Sequence, residues 1–272
     1  MVARALDAIA NEMRQAQDDV RQVAPLTSTH PGFSLEHAYT VADRVHHERL
    51  AAGAQPRGRK IGFTNRAIWP EYGVHHPIWG HVYAHTLRGP GMADLDVTVS
   101  HFAEPRLEPE IALCLRSAPR AGLAIRDLAG CIDWVAPAFE VVQSHFPHWK
   151  FQAADTIADG GLHGALIVGE TVPLASIGTD AELALAAVEV ELHRDGQLVE
   201  VGRGANALGS PLAALAHLVD LLAKQPALPP LRAGEIVTTG TLTAAYPVRA
   251  GEAWTMQPRH PALKPLTLRF RD

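Results

Sequence analysis

The apolar residues in the first fifty positions recur at helical spacing. Leu6, Ile9 and Met13 give a first helix one apolar face. After the Pro31-Gly32 break, Ser34 stands where it would cap a second helix. The residues predicted to form the buried face of that helix are Leu35, Ala38, Val41, Ala42 and Val45. The run 51–58, which contains proline and two glycines, is predicted to end the helical part.

Beyond residue 58 the chain consists of short apolar or alternating segments that glycine and proline interrupt. The alternating runs 188–193 and 198–201 flank Asp195-Gly196, a strong hairpin signal. Ser210-Pro211 is predicted to open one amphipathic helix, and 234–239 is predicted to be a strand. The pattern therefore predicts an α+β protein with an N-terminal helical segment, residues 1–58, and a β-rich domain, residues 59–272.

Composition and charge exclude several classes of protein. The 272 residues are 47% hydrophobic and 19% charged, which is enough to bury a large core. The net charge of -5 and the lack of a basic run argue against a nucleic-acid partner. The two cysteines, Cys114 and Cys131, lie in apolar runs and are expected to be reduced. The N-terminus is typical of neither a signal peptide nor a membrane span, so we expect a cytoplasmic protein without a membrane partner.

Three glutamates are the strongest candidates for chemistry. Glu108 and Glu110 stand at i and i+2 of an apolar run, so on a strand they share one face. Glu140 ends a second apolar run, where an unpaired carboxylate would be costly to bury. An isolated Glu-x-Glu is more often the solvent face of a surface strand. Brought together from two strands, the three carboxylates would hold a hard divalent cation such as Mg²⁺ or Mn²⁺.

Six motifs in order resemble the fumarylacetoacetate hydrolase superfamily, and most closely its 2-keto-4-pentenoate hydratase and 4-oxalocrotonate decarboxylase group. The motifs span almost the whole chain and are Lys60-Ile61-Gly62-Phe63-Thr64, Glu108-Pro109-Glu110, Ala136 to Val142, Ile157-Ala158-Asp159, Gly204 to Pro211 and Ala233 to Thr243. The resemblance implies a mixed β-roll of the fumarylacetoacetate hydrolase type after the helical segment, with residues 59–272 as the catalytic domain.

The resemblance also implies roles for individual residues. Glu108, Glu110 and Glu140 correspond to the family's metal ligands, and Lys60 corresponds to its active-site lysine. Two threonines are expected to bind the substrate, and they are Thr64 and Thr241. A further candidate for the pocket lining is Tyr72, which precedes Pro77-Ile78-Trp79-Gly80.

The chain departs from the family pattern beside the third glutamate. Many members have aspartate and arginine where this chain has Gln143 and His145, and many have asparagine where it has Gly160. We expect Gln143 to contact the substrate. His145 is a candidate general acid near neutral pH, and the alternative in a chain with 15 histidines is a surface or structural role. The departures predict a substrate different from 2-hydroxypentadienoate.

The resulting hypothesis is a divalent-metal-dependent hydratase of a small 2-hydroxydienoic or 2-oxo acid, as in the meta-cleavage catabolism of aromatic compounds, assembled as a homo-oligomer. One alternative is a decarboxylase of a 2-oxo diacid. Another is an acylpyruvate-type carbon–carbon hydrolase, with His37, His46 or His47 as the base. The last is a catalytically silent partner subunit, against which the intact set of three glutamates and Lys60 argues.

Overall fold

A computed structural model describes residues 3–66, 69–72, 74–225 and 227–272. The helices of the described residues are α1 (Ala3–Asp18), α2 (Leu26–Thr29), α3 (Leu35–Ala51), α4 (Trp69–Tyr72), α5 (Ile125–Leu128), α6 (Ala153–Ala158), α7 (Ala181–Ala187) and α8 (Pro211–Ala223). The strands are β1 (Pro56–Gly62), β2 (Ile78–Tyr83), β3 (Leu87–Arg88), β4 (Asp94–Thr98), β5 (Arg106–Leu115), β6 (Ile132–Val142), β7 (His163–Val168), β8 (Val172–Pro173), β9 (Glu189–Arg194), β10 (Gln197–Arg203), β11 (Ile236–Thr238), β12 (Tyr246–Pro247), β13 (Ala253–Pro258) and β14 (Leu266–Arg271).

The strands form two mixed sheets. The larger runs in the order β2-β1-β11-β5-β6-β7-β3, with β12 beside β5 and β8 beside β6. The smaller runs in the order β10-β9-β13-β14-β4. The pairs β1/β11, β3/β7 and β4/β14 are parallel, and the other pairs are antiparallel. The prediction of an α+β protein is confirmed at this level.

The N-terminal helices pack on the edge of the larger sheet. Ser34 caps α3 by accepting a hydrogen bond from the amide of His37, as its position in the sequence predicts. The buried residues of α1 and α3 form one cluster with Ile78 of β2 and with α6. Leu35, predicted to lie on the buried face of α3, is 38% exposed because it stands in the first turn, outside that cluster. The division expected at residue 58 falls inside β1.

The predicted hairpin is β9 and β10, joined by Asp195-Gly196. Both turn residues have positive φ, 51° and 78°, as a two-residue turn that follows the twist of the strands requires. The hairpin forms one edge of the smaller sheet, and the inward side chains of that sheet pack against α8 and the larger sheet.

Helix α8 lies in the main core. Ser210 caps it through the amide of Ala213, and Leu212, Leu215 and Leu218 are buried. Among the described residues, only the stretch 204–223 is long and apolar enough to cross a membrane. Its packing in the core accounts for that composition.

The two faces of β5 have different surroundings. Ile111 and Leu113 point into the main core, whereas Ala112 and Cys114 point to the opposite face of the sheet. Side chains alternate along a strand, so Glu108 and Glu110 lie on the face of Ala112 and Cys114. The site is therefore on the side of the larger sheet away from the main core.

Candidate metal centre and substrate cavity

Three carboxylates converge where β5 and β6 pair. Glu108 stands directly opposite Glu140 in the antiparallel register, and Glu110 follows two residues along the same face. One carboxylate oxygen of each residue lies within 4.8 Å of the others. Glu110 and Glu140 have no exposed surface, and Glu108 is half-buried. The strand register thus assembles the cluster that the sequence pattern predicted.

Lys60 reaches the same cluster from β1. Its ammonium lies 3.2 Å from Glu140 Oε2 and donates a hydrogen bond of 2.8 Å to the carbonyl of Gly161. Gly161 has φ of 74°, and a Cβ there would lie 2.9 Å from Lys60 Cδ. Glycine at position 161 therefore lets the turn approach the lysine closely.

The turn after β11 closes the cluster on another side. The amide of Gly240 donates a hydrogen bond of 2.8 Å to Glu110 Oε2. Gly240 has φ of 91°, and a Cβ there would lie 1.9 Å from Thr64 Oγ1. Glycine is consequently required where this backbone meets both Glu110 and Thr64.

His163 is a member of the site that the sequence analysis did not identify. Its Nδ1 lies 2.8 Å from Glu140 Oε1, and its Nε2 lies 2.9 Å from Thr86 Oγ1. It is placed by the pairing of β6 with β7, in which Val142 stands opposite His163. Nothing in the local pattern separates this residue from the other histidines of the chain, so the long-range pairing was needed to find it.

The converging charges shift the pKa values of the carboxyl groups in opposite directions. Burial, followed by the charge of Glu140, raises the pKa of Glu108 to about 7 and that of Glu110 well above its usual range. Burial also disfavours the charged form of Glu140, but Lys60 and His163 hold its pKa below the usual value. Burial opposes the charge of Lys60, yet the three glutamates raise its pKa. The site therefore contains the ion pair of Lys60 with Glu140 and two further carboxyl groups that have no ion-pair partner among the described residues.

A divalent cation fits this donor set. Glu110 Oε1 is buried and has no hydrogen-bond partner among the described residues. Three carboxylates supply the hard oxygen ligands that Mg²⁺ and Mn²⁺ take, with positions left for water or substrate. The positive charge of a bound cation would also offset the burial and the repulsion that raise the two pKa values.

A cavity of about 410 Å³ opens beside the cluster, a size suited to a small organic acid. Lys60, Thr64, Glu108 and Thr241 all line it. Thr64 is 2% exposed and its hydroxyl has no partner among the described residues, whereas Thr241 Oγ1 donates to the carbonyl of Thr243. The structure therefore brings together most of the residues that the sequence analysis named.

Two predicted site residues are placed differently, and the side chain of a third is not described. Gln143 accepts a hydrogen bond from the amide of Ala103, donates one to the carbonyl of His163, and lines a separate cavity of about 380 Å³. His145 is buried, and its Nδ1 lies 2.8 Å from Asp159 Oδ1. Neither residue is among the described residues that line the large cavity. The side chain of Tyr72, at the end of α4, lies outside the described residues.

The candidate bases for carbon–carbon hydrolysis also lie away from the large cavity. His37 completes the cap of α3, and His47 lies 3.4 Å from Asp43. His46 is buried, stacked 3.6 Å from the ring of His81, with its Nδ1 2.8 Å from the hydroxyl of Tyr83. No histidine lines the large cavity within the part of the chain that the structure describes.

Comparison with known proteins agrees with the geometry. A model of the fumarylacetoacetate hydrolase C-terminal domain matches residues 74–262. The chain is 31% identical over 244 residues to the 2-hydroxyhexa-2,4-dienoate hydratase of Comamonas testosteroni, covering 89% of each protein. It is 34% identical over 219 residues to the 2-hydroxypent-2,4-dienoate hydratase of Pseudomonas putida, covering 80% of this chain and 95% of the relative.

A solved structure matches nearly the whole fold. It is the 4-oxalocrotonate decarboxylase from Pseudomonas putida G7, complexed with magnesium and adipate. The TM-score is 0.91 at 28% sequence identity, over 99% of this chain and 98% of the decarboxylase. Together with the match over 74–262 and the relatives above 30% identity, this shows that the chain belongs to the fumarylacetoacetate hydrolase family.

Proposed function

We propose that the protein is a lyase that uses Mg²⁺ or Mn²⁺ to hydrate a small 2-hydroxydienoic or 2-oxo acid, as in the meta-cleavage catabolism of aromatic compounds. The convergence of Glu108, Glu110 and Glu140 with Lys60 at one cavity is the observation that supports it most strongly. The hydratases at 31% and 34% identity support the reaction.

Different residues of the cavity have different roles in the proposed reaction. Glu108, Glu110 and Glu140 would hold the ion, which would supply Lewis-acid stabilisation of negative charge on the oxygens of a 2-oxo acid. Lys60, fixed by Gly161 and Glu140, faces the cavity as a proton donor or an anion stabiliser. The hydroxyl of Thr64, which has no partner among the described residues, is available to the substrate carboxylate. The turn at Gly240 and Thr241 packs against Thr64 and lines the same cavity.

Decarboxylation of a 2-oxo diacid is the second candidate, supported by the decarboxylase with a TM-score of 0.91. Hydration requires a group that activates water, and the cavity's carboxylates among the described lining residues are Glu108 and Glu200. Glu200 Oε2 already accepts hydrogen bonds from the hydroxyl of Tyr246 and the amide of Ala244. Decarboxylation needs anion stabilisation and a proton donor but no activated water.

The test is identification of products. Purified protein with Mg²⁺ is incubated with 2-hydroxypenta-2,4-dienoate, with 4-oxalocrotonate and with an acylpyruvate, and the products are assigned by NMR. We expect a hydrated or decarboxylated product that requires the metal. Cleavage of the acylpyruvate alone, or turnover that persists in EDTA, would overturn the proposal.

Protons should compete with the metal for the cluster. Because the pKa of Glu108 is raised to about 7 and that of Glu110 is also raised, the metal-free cluster retains protons below neutral pH. We expect Mn²⁺ affinity to fall as the pH drops from about 8 to about 6, by roughly tenfold per unit for each proton displaced. Calorimetry in buffers of different ionisation enthalpy counts the released protons. A pH-independent affinity with no proton release would contradict the assignment.

The burial of His145 against Asp159 supports a structural role for it rather than the role of general acid. We expect His145→Ala to lower the free energy of unfolding by about 1–3 kcal/mol, because a buried carboxylate loses a partner. It should not cause the loss of roughly 10²-fold in kcat that removal of a general acid causes. Urea unfolding and steady-state rates check both values. A loss of that size at unchanged stability would make His145 the general acid.

The proposal extends to a homo-oligomeric, cytoplasmic enzyme. Leu198 and Val201 are 55% and 46% exposed on β10, the edge strand of the smaller sheet. Exposed apolar residues on an edge strand are typical of a surface that another chain covers. Light scattering on the purified protein gives the assembly size, and a monomer at micromolar concentration would remove this part of the proposal.

A further inference from the structure

Both carboxylate oxygens of Glu140 are engaged by neighbouring side chains. His163 Nδ1 lies 2.8 Å from Oε1, and Lys60 Nζ lies 3.2 Å from Oε2. An ionised carboxylate only accepts hydrogen bonds, so Nδ1 is the donor in the first contact. With a partner on each oxygen, the plane of the carboxylate is fixed, and so is the direction in which its remaining lone pairs point.

Both contacts depend on the segment 160–163, which leads into β7. The carbonyl of Gly161 accepts a hydrogen bond of 2.8 Å from Lys60 Nζ, and His163 is the first residue of the strand. The segment therefore positions His163 directly and Lys60 through one hydrogen bond.

The ring of His163 is held at both nitrogens. Its side chain is 5% exposed, and its Nε2 lies 2.9 Å from Thr86 Oγ1. Thr86 Oγ1 also accepts a hydrogen bond of 3.2 Å from the amide of Tyr83, at the end of β2. Because the ring cannot turn without losing one of these contacts, Nδ1 stays directed at Glu140.

Gln143 holds the same segment from the end of β6. Its amide donates a hydrogen bond of 2.9 Å to the carbonyl of Leu162, and its Nε2 donates one of 3.3 Å to the carbonyl of His163. Its Oε1 accepts one of 3.1 Å from the amide of Ala103. This departure from the family pattern thus contacts the backbone that carries His163.

We infer that His163 is a positioning residue for the metal centre, which orients Glu140 toward the ion and is itself held by Thr86 and Gln143. The inference rests on the proposed function for the presence of the ion. His163 is not among the described residues that line the substrate cavity, so its effect falls on metal affinity and not on direct contact with the substrate.

The experiment measures the Mn²⁺ affinity of the EDTA-treated full chain and its variants by calorimetry. His163→Leu removes both ring nitrogens and should weaken binding by about 10- to 100-fold, the scale for loss of an outer partner of a metal ligand. His163→Asn places an amide donor near the position of Nδ1 and should restore most of that loss. His163→Gln places its donor near the position of Nε2, toward Thr86, and should bind as weakly as His163→Leu.

His193→Leu is the matched control. His193 makes a comparable contact in the smaller sheet, where its Nε2 lies 3.2 Å from Glu191 Oε2. This variant should keep the parental Mn²⁺ affinity. Urea unfolding of the metal-free variants gives their stabilities, and a positioning role predicts that affinity follows the donor at the position of Nδ1 and not the order of the stabilities.

The outcomes separate the inference from the proposed function. Parental affinity in His163→Leu, or equal weakening in the leucine and asparagine variants, overturns the inference while tight Mn²⁺ binding by the parent leaves the proposed function standing. If His163→Leu does not fold, equal affinities of His163→Asn and His163→Gln overturn the inference. A parent that does not bind Mn²⁺ tightly overturns the proposed function and the inference with it.

Discussion

Lys60→Met is expected to lower kcat by roughly 10²-fold or more while metal binding persists. The substitution keeps most of the aliphatic stem and removes the ammonium that lies between Gly161 and Glu140. The three glutamates proposed as metal ligands are unchanged. Steady-state rates on a confirmed substrate and Mn²⁺ calorimetry on the same preparation separate the two effects.

The control for this variant is Lys264→Met, which removes an exposed lysine outside the cavity lining. It should keep the parental kcat. A Lys60→Met enzyme with unchanged kcat would make Lys60 a structural lysine. Loss of Mn²⁺ binding in that variant would instead show that the lysine supports the metal centre.

Neutralising the glutamates one at a time should abolish tight metal binding but have opposite effects on stability. Glu108→Gln, Glu110→Gln and Glu140→Gln are each expected to weaken Mn²⁺ binding by more than about 100-fold, beyond the loss typical of an outer-shell partner. In the metal-free protein, Glu108→Gln and Glu110→Gln remove carboxyl groups whose raised pKa values show that their charge is unfavourable. These two variants should therefore unfold at higher urea concentrations at neutral pH.

Glu140→Gln should instead destabilise the metal-free protein by about 3 kcal/mol, because Lys60 would lose its nearest counterion in a buried site.

The raised pKa of Glu108 also makes the stability of the metal-free protein depend on pH. The folded metal-free protein binds more protons than the unfolded chain between about 4.5 and about 7, so this group's contribution to stability falls as the pH rises through that window. In Glu108→Gln, the free energy of unfolding should therefore decrease less as the pH rises through that window. Three variants with the same change in stability would contradict this account of the cluster.

The features that local sequence determines were predictable. Ser34 and Ser210 act as helix caps because a side-chain oxygen and a nearby amide are all that a cap requires. Asp195-Gly196 closes a hairpin because both residues tolerate positive φ. The shared face of Glu108 and Glu110 follows from the period of a strand.

The features that depend on long-range pairing were not predictable from local pattern. The contact of His163 with Glu140 depends on the register of β6 and β7, and the contact of Lys60 with Gly161 joins residues 101 positions apart. Gln143 and His145 follow the end of β6 and lie outside the cavity lining, although their proximity to Glu140 in sequence suggested the pocket. Closeness along the chain does not determine which side of a strand end faces the site.

We propose that this protein binds a 2-oxo acid through a divalent ion held by Glu108, Glu110 and Glu140. The most direct measurement is calorimetric titration of EDTA-treated protein with Mn²⁺, followed by titration of the loaded and the metal-free protein with 2-oxoadipate. The account predicts one tightly bound ion per chain and binding of the acid only to the loaded protein. Equal affinity of the loaded and the metal-free protein for the acid would contradict it.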